Sequence, residues 1–142
     1  MSLREQFRQK GLSEKLLLTG SYSQDSAENI YQKANAFVIL KHNDPCPNTV
    51  IEAMACGLPV IYSNTGGIPE LVGPNAGIPL DCNGAFDSIS MPSLDAVTEG
   101  MSLALKHGPK MGLKAREKAL QDFDLDRWLK KHQQIFCKYL KI

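Results

Sequence analysis

No two cysteines in this 142-residue chain are spaced as a C-x-x-C pair. Cys46, Cys56, Cys82 and Cys137 are scattered, so neither a zinc site nor a disulfide framework is expected, and reduced thiols in a cytoplasmic setting are the default. His107 and His132 have no partner at metal-ligand spacing, so no metal is expected. Long apolar runs are also lacking. Nothing approaches the roughly 20 consecutive apolar residues of a membrane span, and the opening Met-Ser-Leu-Arg-Glu-Gln-Phe lacks the apolar core of a secretory signal. Charge of one sign is not in excess. Sixteen basic against fifteen acidic side chains leave a net charge of +1, which argues against a nucleic-acid partner and against an acidic disordered tail. No internal repeat and no linker divides the chain. What remains is 43% hydrophobic and 22% charged, the composition of one soluble globular domain over residues 1–142 with enough chain to bury a core.

The apolar pattern alternates between short runs and helical periods. Leu3, Phe7 and Leu12 predict a first amphipathic helix closing near Gly11. Residues 15–20 (Lys-Leu-Leu-Leu-Thr-Gly) read as a buried parallel strand, followed by a polar loop over 21–24. Asp25 and Ser26 are expected to cap a helix with Ala27, Ile30, Tyr31 and Ala34 on its apolar side. Residues 36–40 (Ala-Phe-Val-Ile-Leu) predict a second strand, 58–62 a third and 77–80 a short fourth. Between the last two lie the turn 63–67 and a short helix over 68–72. Residues 82–92 read as loop, and helices occupy the chain from about residue 93. One runs from a Ser93 cap through Leu94, Val97, Met101, Ala104 and Leu105, and another spans 111–123 with Lys114, Arg116 and Lys118 on a solvated side. A final helix, capped by Asp124 or Asp126, carries one apolar face of Trp128, Leu129, His132, Ile135, Phe136, Tyr139 and Leu140, which reads as core. Strands alternating with helices predict an α/β, doubly wound, Rossmann-like parallel sheet of about four strands with flanking helices.

The stretch 44–61 holds the most chemistry. Asn48 is a favoured N-cap, residues 49–56 give about two helical turns, and Gly57 supplies the stop. A helix start beside a loop offers unpaired N–H groups and the positive end of a dipole, both suited to phosphate. Asp44 and Glu52 bracket that junction and would suit sugar hydroxyls. Taken alone, the same carboxylates also fit a helix whose acidic N-terminal region is stabilised by its dipole. Sheets of this kind bind ligands beyond the carboxyl ends of their strands, where the loops 20–24, 41–48 and 63–70 would gather.

These residues carry a resemblance. Asp44, seven intervening residues, Glu52, then Ala53-Met54-Ala55-Cys56-Gly57-Leu58-Pro59-Val60 and Gly66-Gly67-Ile68-Pro69-Glu70 resemble the C-terminal nucleotide-binding domain of glycosyltransferase family 4, retaining enzymes of the GT-B fold. The segment Phe123-Asp124-Leu125-Asp126-Arg127-Trp128 is similar to the family's entry into its last helix, so nearly the whole chain can be laid on that domain.

The resemblance implies hexosyl transfer from a UDP- or GDP-sugar donor to an acceptor hydroxyl with retention, without a required cofactor. It gives Glu52 the ribose hydroxyls, Asp44 the donor sugar, and Cys46, Pro47, Asn48 and Thr49 with the following helix start the diphosphate and sugar. Tyr22 falls where the base sits. Gly66, Gly67 and Glu70 fit either the donor site or a plain turn and helix start. His42 could touch a ligand, although a solvent-exposed loop histidine is the expected state.

Two departures from the family pattern stand out. Asp44 replaces the usual glutamate and is one methylene shorter. The family's domain also opens with two further strands, with a Lys or Arg between them, and nothing upstream of Met1 supplies these. The chain therefore reads as a partial GT-B C-terminal domain. Its expected partners are a nucleotide sugar, an N-terminal GT-B domain or upstream strands, and a saccharide or lipid-linked acceptor that could bring it to a membrane surface. The alternative is a truncated or non-catalytic nucleotide-binding remnant or a partner subunit, and a weaker one is a GT-B-fold epimerase.

Overall fold

The structure, a computed structural model, describes residues 1–140 apart from Asn83 and Phe86. Three parallel strands form one sheet in the order β1 (Phe37–Ile39), β2 (Val60–Ser63) and β3 (Gly77–Leu80), with Phe37 opposite Val60 and Val60 opposite Gly77. Helix α3 (Asn48–Ala55) links β1 to β2, and the short α4 (Ile68–Val72) links β2 to β3. All four residues of β2 are buried, as expected of a central strand covered on both faces. Its side chains alternate between two clusters. Val60 and Tyr62 join Val50 and Met54 of α3 with Ile68 and Val72 of α4. Ile61 faces the other way, with Ile78, Leu80 and Ala104.

Helix α5 (Leu94–Asp122) covers both faces of the sheet. Its early residue Ala104 lies with Ile61 and Leu80, while Ala115 and Ala119 lie with Val60 and Tyr62. The sequence reading divides this segment into two helices, one through Leu105 and another over 111–123, with Gly108 and Pro109 between them. The structure corrects it to one helix of 29 residues with Pro109 inside. Proline removes a helical hydrogen bond. Here the buried small residues Gly100, Ala104, Gly108, Gly112, Ala115 and Ala119 let the whole length lie close against the sheet and α3, and that packing overrides the local break. At Gly112 a Cβ would overlap the Gly57 carbonyl oxygen, so glycine is required for the approach.

Two further expectations are corrected. Residues 15–20 do not form a strand: Ser13–Lys15 is a 3-10 turn, Leu17 is 84% exposed and Leu18 is exposed as well. An extended segment needs a neighbouring strand for its N–H and C=O groups, and this segment pairs with none among the described residues. The outer edge of β1 is likewise unpaired among them. The sheet therefore has three strands rather than four. The face of α6 (Leu125–Leu140) expected to be core is exposed along its length, including Trp128, Phe136 and Tyr139, because no other described element covers it. Its cap is Asp124, whose Oδ1 accepts from the Arg127 N–H at 3.0 Å.

Helix starts move by one to three residues. Pro47 rather than Asn48 is the N-cap of α3, and Ser23 caps α2 (Gln24–Tyr31), with Ser26 Oγ accepting from the Ser23 N–H at 3.1 Å. The first helix, α1 (Leu3–Gln9), has no buried residue. The loop expected over 82–92 contains no helix or strand among its described residues, and Asn83 and Phe86 lie outside them.

Candidate functional site

The loops that leave the carboxyl ends of β1 and β2 are tied to one another. The buried Ser63 hydroxyl donates to the Lys41 carbonyl at 2.7 Å, and the buried Thr65 hydroxyl accepts from the Asn43 N–H at 3.1 Å. The Gly67 N–H donates to the Asp44 carbonyl at 3.0 Å. Asn43 sits at φ +49°, a left-handed conformation that asparagine tolerates better than most residues. Its side-chain amide donates to the Gly84 carbonyl at 3.1 Å. His42 is half-buried rather than solvent-exposed. Its Nε2 lies 2.9 Å from the Ala85 carbonyl oxygen, and its Nδ1 is buried without a hydrogen-bond partner among the described residues.

Gly66 and Gly67 are required by this contact. A Cβ on Gly66, at φ +64°, would stand 2.5 Å from the Asp44 carbonyl oxygen, and one on Gly67 would overlap the Pro45 carbonyl. Both glycines let the loops touch backbone to backbone, and the Gly67 N–H is already taken.

Asp44 is held by this scaffold. Its Oδ2 accepts from Lys41 Nζ at 2.9 Å, and its Oδ1 accepts from the Cys46 N–H at 3.1 Å. The Lys41 hydrogen bond, aided by the Cys46 N–H, holds its carboxyl below the usual carboxylate range against the opposing effect of burial. Cys46 and Asn48 are exposed, Pro47 is buried and Thr49 is half-buried. No side chain caps the start of α3, and its first turn carries no acidic residue, so the N–H groups and positive dipole end there are free of a capping side chain.

Glu52 faces a different space. A cavity of about 460 Å³ opens between α2 and α3, lined among others by Glu28, Tyr31, Glu52, Cys56 and Arg116. Asp44 does not line it, so the two carboxylates are not brought into one cavity. Glu52 Oε2 accepts from the Tyr31 hydroxyl at 3.0 Å. The Tyr22 hydroxyl lies 3.5 Å from that of Tyr31, which places Tyr22, itself half exposed, at the rim of the same arrangement. Burial raises the Tyr31 phenol far above its ordinary value, with Tyr22 and Glu52 adding to the shift. The Cys56 thiol is raised by burial and by Glu28, against the opposing Arg116 guanidinium. Arg116 donates to the Ala55 carbonyl and so caps the end of α3.

Tyr31 is the site residue that sequence reasoning misses, because its helical spacing marks it only as an apolar position. The available signal is chemical: a tyrosine on a buried helix face must find a partner for its hydroxyl. Among the described residues no cluster of three or more His, Cys, Asp or Glu side chains is arranged to hold a metal ion.

A parallel sheet with its charged and glycine-bearing loops gathered at the strand ends defines a GT-B-like α/β domain, and solved structures share it. Sucrose-phosphate synthase from Thermosynechococcus elongatus superposes with a TM-score of 0.80 at 22% identity, over 98% of this chain and 34% of that one. An Anabaena protein, HepE, solved in complex with UDP and glucose, superposes with a TM-score of 0.68 at 20% identity, over 99% of this chain and 36% of that one.

The family model for glycosyl transferases group 1 matches residues 1–120, and the chain belongs to that family. Mannosylfructose-phosphate synthase from Agrobacterium fabrum is 33% identical over 66 residues, 46% of this chain and 14% of that protein. D-inositol 3-phosphate glycosyltransferase from Mycolicibacterium gilvum is 31% identical over 62 residues, 44% of this chain and 14% of that protein. The chain thus spans about a third of the solved structures and a much smaller part of the curated relatives.

Proposed function

We propose that this chain is the donor-binding part of a retaining, GT-B-type hexosyltransferase of family 4, acting on a UDP- or GDP-sugar. The observation that carries the proposal is the state of Glu52. One of its oxygens is fixed by Tyr31, the other has no partner among the described residues, and Glu52 lines a cavity large enough for part of a nucleotide. A carboxylate held this way accepts hydrogen bonds from a vicinal diol, so Glu52 takes the ribose hydroxyls and Tyr22 the base end. The backbone from Cys46 to Thr49 lines the diphosphate and sugar, and the N–H groups of Asn48 and Thr49 at the uncapped start of α3 donate to the diphosphate, since the Cys46 N–H is held by Asp44 and Pro47 has none. As the glycosidic bond breaks, negative charge grows on the departing nucleoside diphosphate. Fixed N–H dipoles pointing at that charge stabilise it without reorganisation. Asp44, immobilised by Lys41 and the Cys46 N–H, offers its carboxylate to the donor sugar, while Gly66 and Gly67 serve the site by holding the Asp44 loop in place. Neither a metal nor another cofactor is assigned a role in this scheme.

The acceptor, a saccharide or a lipid-linked glycan, is bound by an N-terminal domain outside these residues. A cytoplasmic setting, at times against a membrane surface, fits such an acceptor; no helix among the described residues is long and apolar enough to cross a membrane. A second reading is favoured by the unpaired outer edge of β1 and by exposed Leu17 and Leu18. In it, the chain is a truncated or non-catalytic nucleotide-binding piece, or a subunit whose remaining strands come from another polypeptide.

Calorimetric titration with UDP-glucose and GDP-mannose, for the wild type and Glu52→Ala, tests the donor site. Loss of a charge-assisted contact is expected to weaken binding by about tenfold or more. Equal affinity in the two proteins would remove Glu52 from the site. Donor binding without transfer, in a protein supplied with acceptor and its remaining domain, would select the second reading.

A further inference from the structure

We infer that Tyr31 is a positioning residue for ribose recognition: its buried hydroxyl fixes Glu52 so that the second carboxylate oxygen is presented to the nucleotide diol. The inference rests on the assignment of Glu52 to the ribose. It adds a residue that acts through Glu52 and sets how well that carboxylate meets the ribose.

The geometry has three parts. The Tyr31 ring is immobile by packing: it lies in a buried cluster with Ala27, Ala53 and Leu58, and meets Phe37 edge-on at 5.9 Å between ring centres and 78° between planes. Its hydroxyl donates to Glu52 Oε2 at 3.0 Å. Glu52 Oε1 has no hydrogen bond to any described residue, and Glu52 lines the cavity between α2 and α3.

A free glutamate side chain samples many rotamers, and ordering it opposes binding. With one oxygen already fixed, that ordering is complete before the ligand arrives. A hydroxyl donor occupies one carboxylate oxygen and leaves the lone pairs of the other free to accept from a diol. The bond joins two helices at residues 21 apart in sequence, so the position of α2 controls the orientation of a carboxylate on α3.

The test compares UDP with 2′,3′-dideoxy-UDP, and GDP with 2′,3′-dideoxy-GDP, by titration calorimetry. Its readout is the affinity ratio between the natural and the dideoxy ligand. That ratio reports recognition of the diol and is insensitive to general loosening of the site. For the wild type a ratio of about tenfold or more is expected for whichever base binds. Tyr31→Phe keeps the ring and removes only the hydroxyl, and it is expected to lower the ratio to about threefold or less. Glu52→Gln is expected to abolish the preference, and adding Tyr31→Phe to it should change nothing further. Should Tyr31→Phe fold poorly, Glu52→Asp keeps the charge but draws it away from Tyr31, and the same fall in ratio is expected.

A wild-type ratio retained in Tyr31→Phe, but lost in Glu52→Gln, overturns the positioning role and leaves the donor site standing. A ratio retained in Glu52→Gln removes Glu52 from the ribose and the inference with it. Absence of binding by both UDP and GDP overturns the donor site itself.

Discussion

Gly67→Ala is the substitution that most directly tests how the site loop is held. Gly67 has φ −91°, which any residue adopts, so alanine brings no backbone strain of its own. The cost comes from space: the added Cβ would overlap the Pro45 carbonyl oxygen. That neighbour is backbone and cannot rotate aside, so the two loops must separate. Overpacking of this kind costs about 1–3 kcal/mol. Separation also stretches the 3.0 Å bond from the Gly67 N–H to the Asp44 carbonyl, adding about 0.5–1.5 kcal/mol. The sum, about 1.5–4.5 kcal/mol, is a large fraction of a domain's usual stability.

Gly20→Ala is the matching control. Gly20 has φ +70°, and a Cβ there would meet no atom within 4 Å, so only the left-handed strain of about 1–2 kcal/mol applies. Urea unfolding of both variants should rank Gly67→Ala below Gly20→Ala, with unchanged m-values. A Gly67→Ala protein within about 0.5 kcal/mol of the wild type would refute the tight contact between the loops.

Two further outcomes follow from burial. Tyr31 and Tyr62 keep their protons in the folded state above the ordinary tyrosine value of 10.0, Tyr31 chiefly by burial and Tyr62 by burial alone. The unfolded chain releases these protons near that pH. Stability is therefore fully present below about pH 10 and declines as pH rises toward the folded-state values, by up to about 1.4 kcal/mol per pH unit for each tyrosine. Urea midpoints between about pH 9 and 11.5 should fall for the wild type and fall less steeply for Tyr31→Phe; parallel curves would refute the assignment. Trp128 is about half exposed and stacks on His132 at 3.8 Å, so Trp128→Ala should change stability by no more than about 0.5 kcal/mol. As the chain's one tryptophan, it should also emit as a solvent-exposed indole, and a blue-shifted spectrum would show that the α6 face is covered in solution.

Which elements could be read from the chain depends on where their stability originates. The segments around Val60 and Ile78 read correctly as strands because their apolar runs meet neighbours inside the chain. Residues 15–20 have an equally good run, and the run alone cannot show that no strand lies beside it. The face of α6 makes the same point for helices. Its period marks one side as apolar, and period predicts the side that would be buried if something were there to bury it. Pro109 fails in the opposite direction. A local rule predicts a break, yet the row of small residues from Gly100 to Ala119 stabilises a continuous helix through contacts made with β2, β3 and α3.

The candidate site divides along the same line. Features carried within one element were legible: the helix α3, its stop at Gly57, and the place of Glu52 on its body. The contacts that give those groups their geometry join residues far apart, with Tyr31 to Glu52 separated by 21 positions, Asn43 to Thr65 by 22 and His42 to Ala85 by 43. Gly66 and Gly67 show why such contacts escape a sequence reading. A glycine pair fits a turn or a ligand's close approach equally well. What requires glycine here is the backbone of Asp44 and Pro45 from another loop. The same contact holds the Asp44 backbone, so a pair that fits a ligand or a turn equally well is required here by the packing of one loop against another.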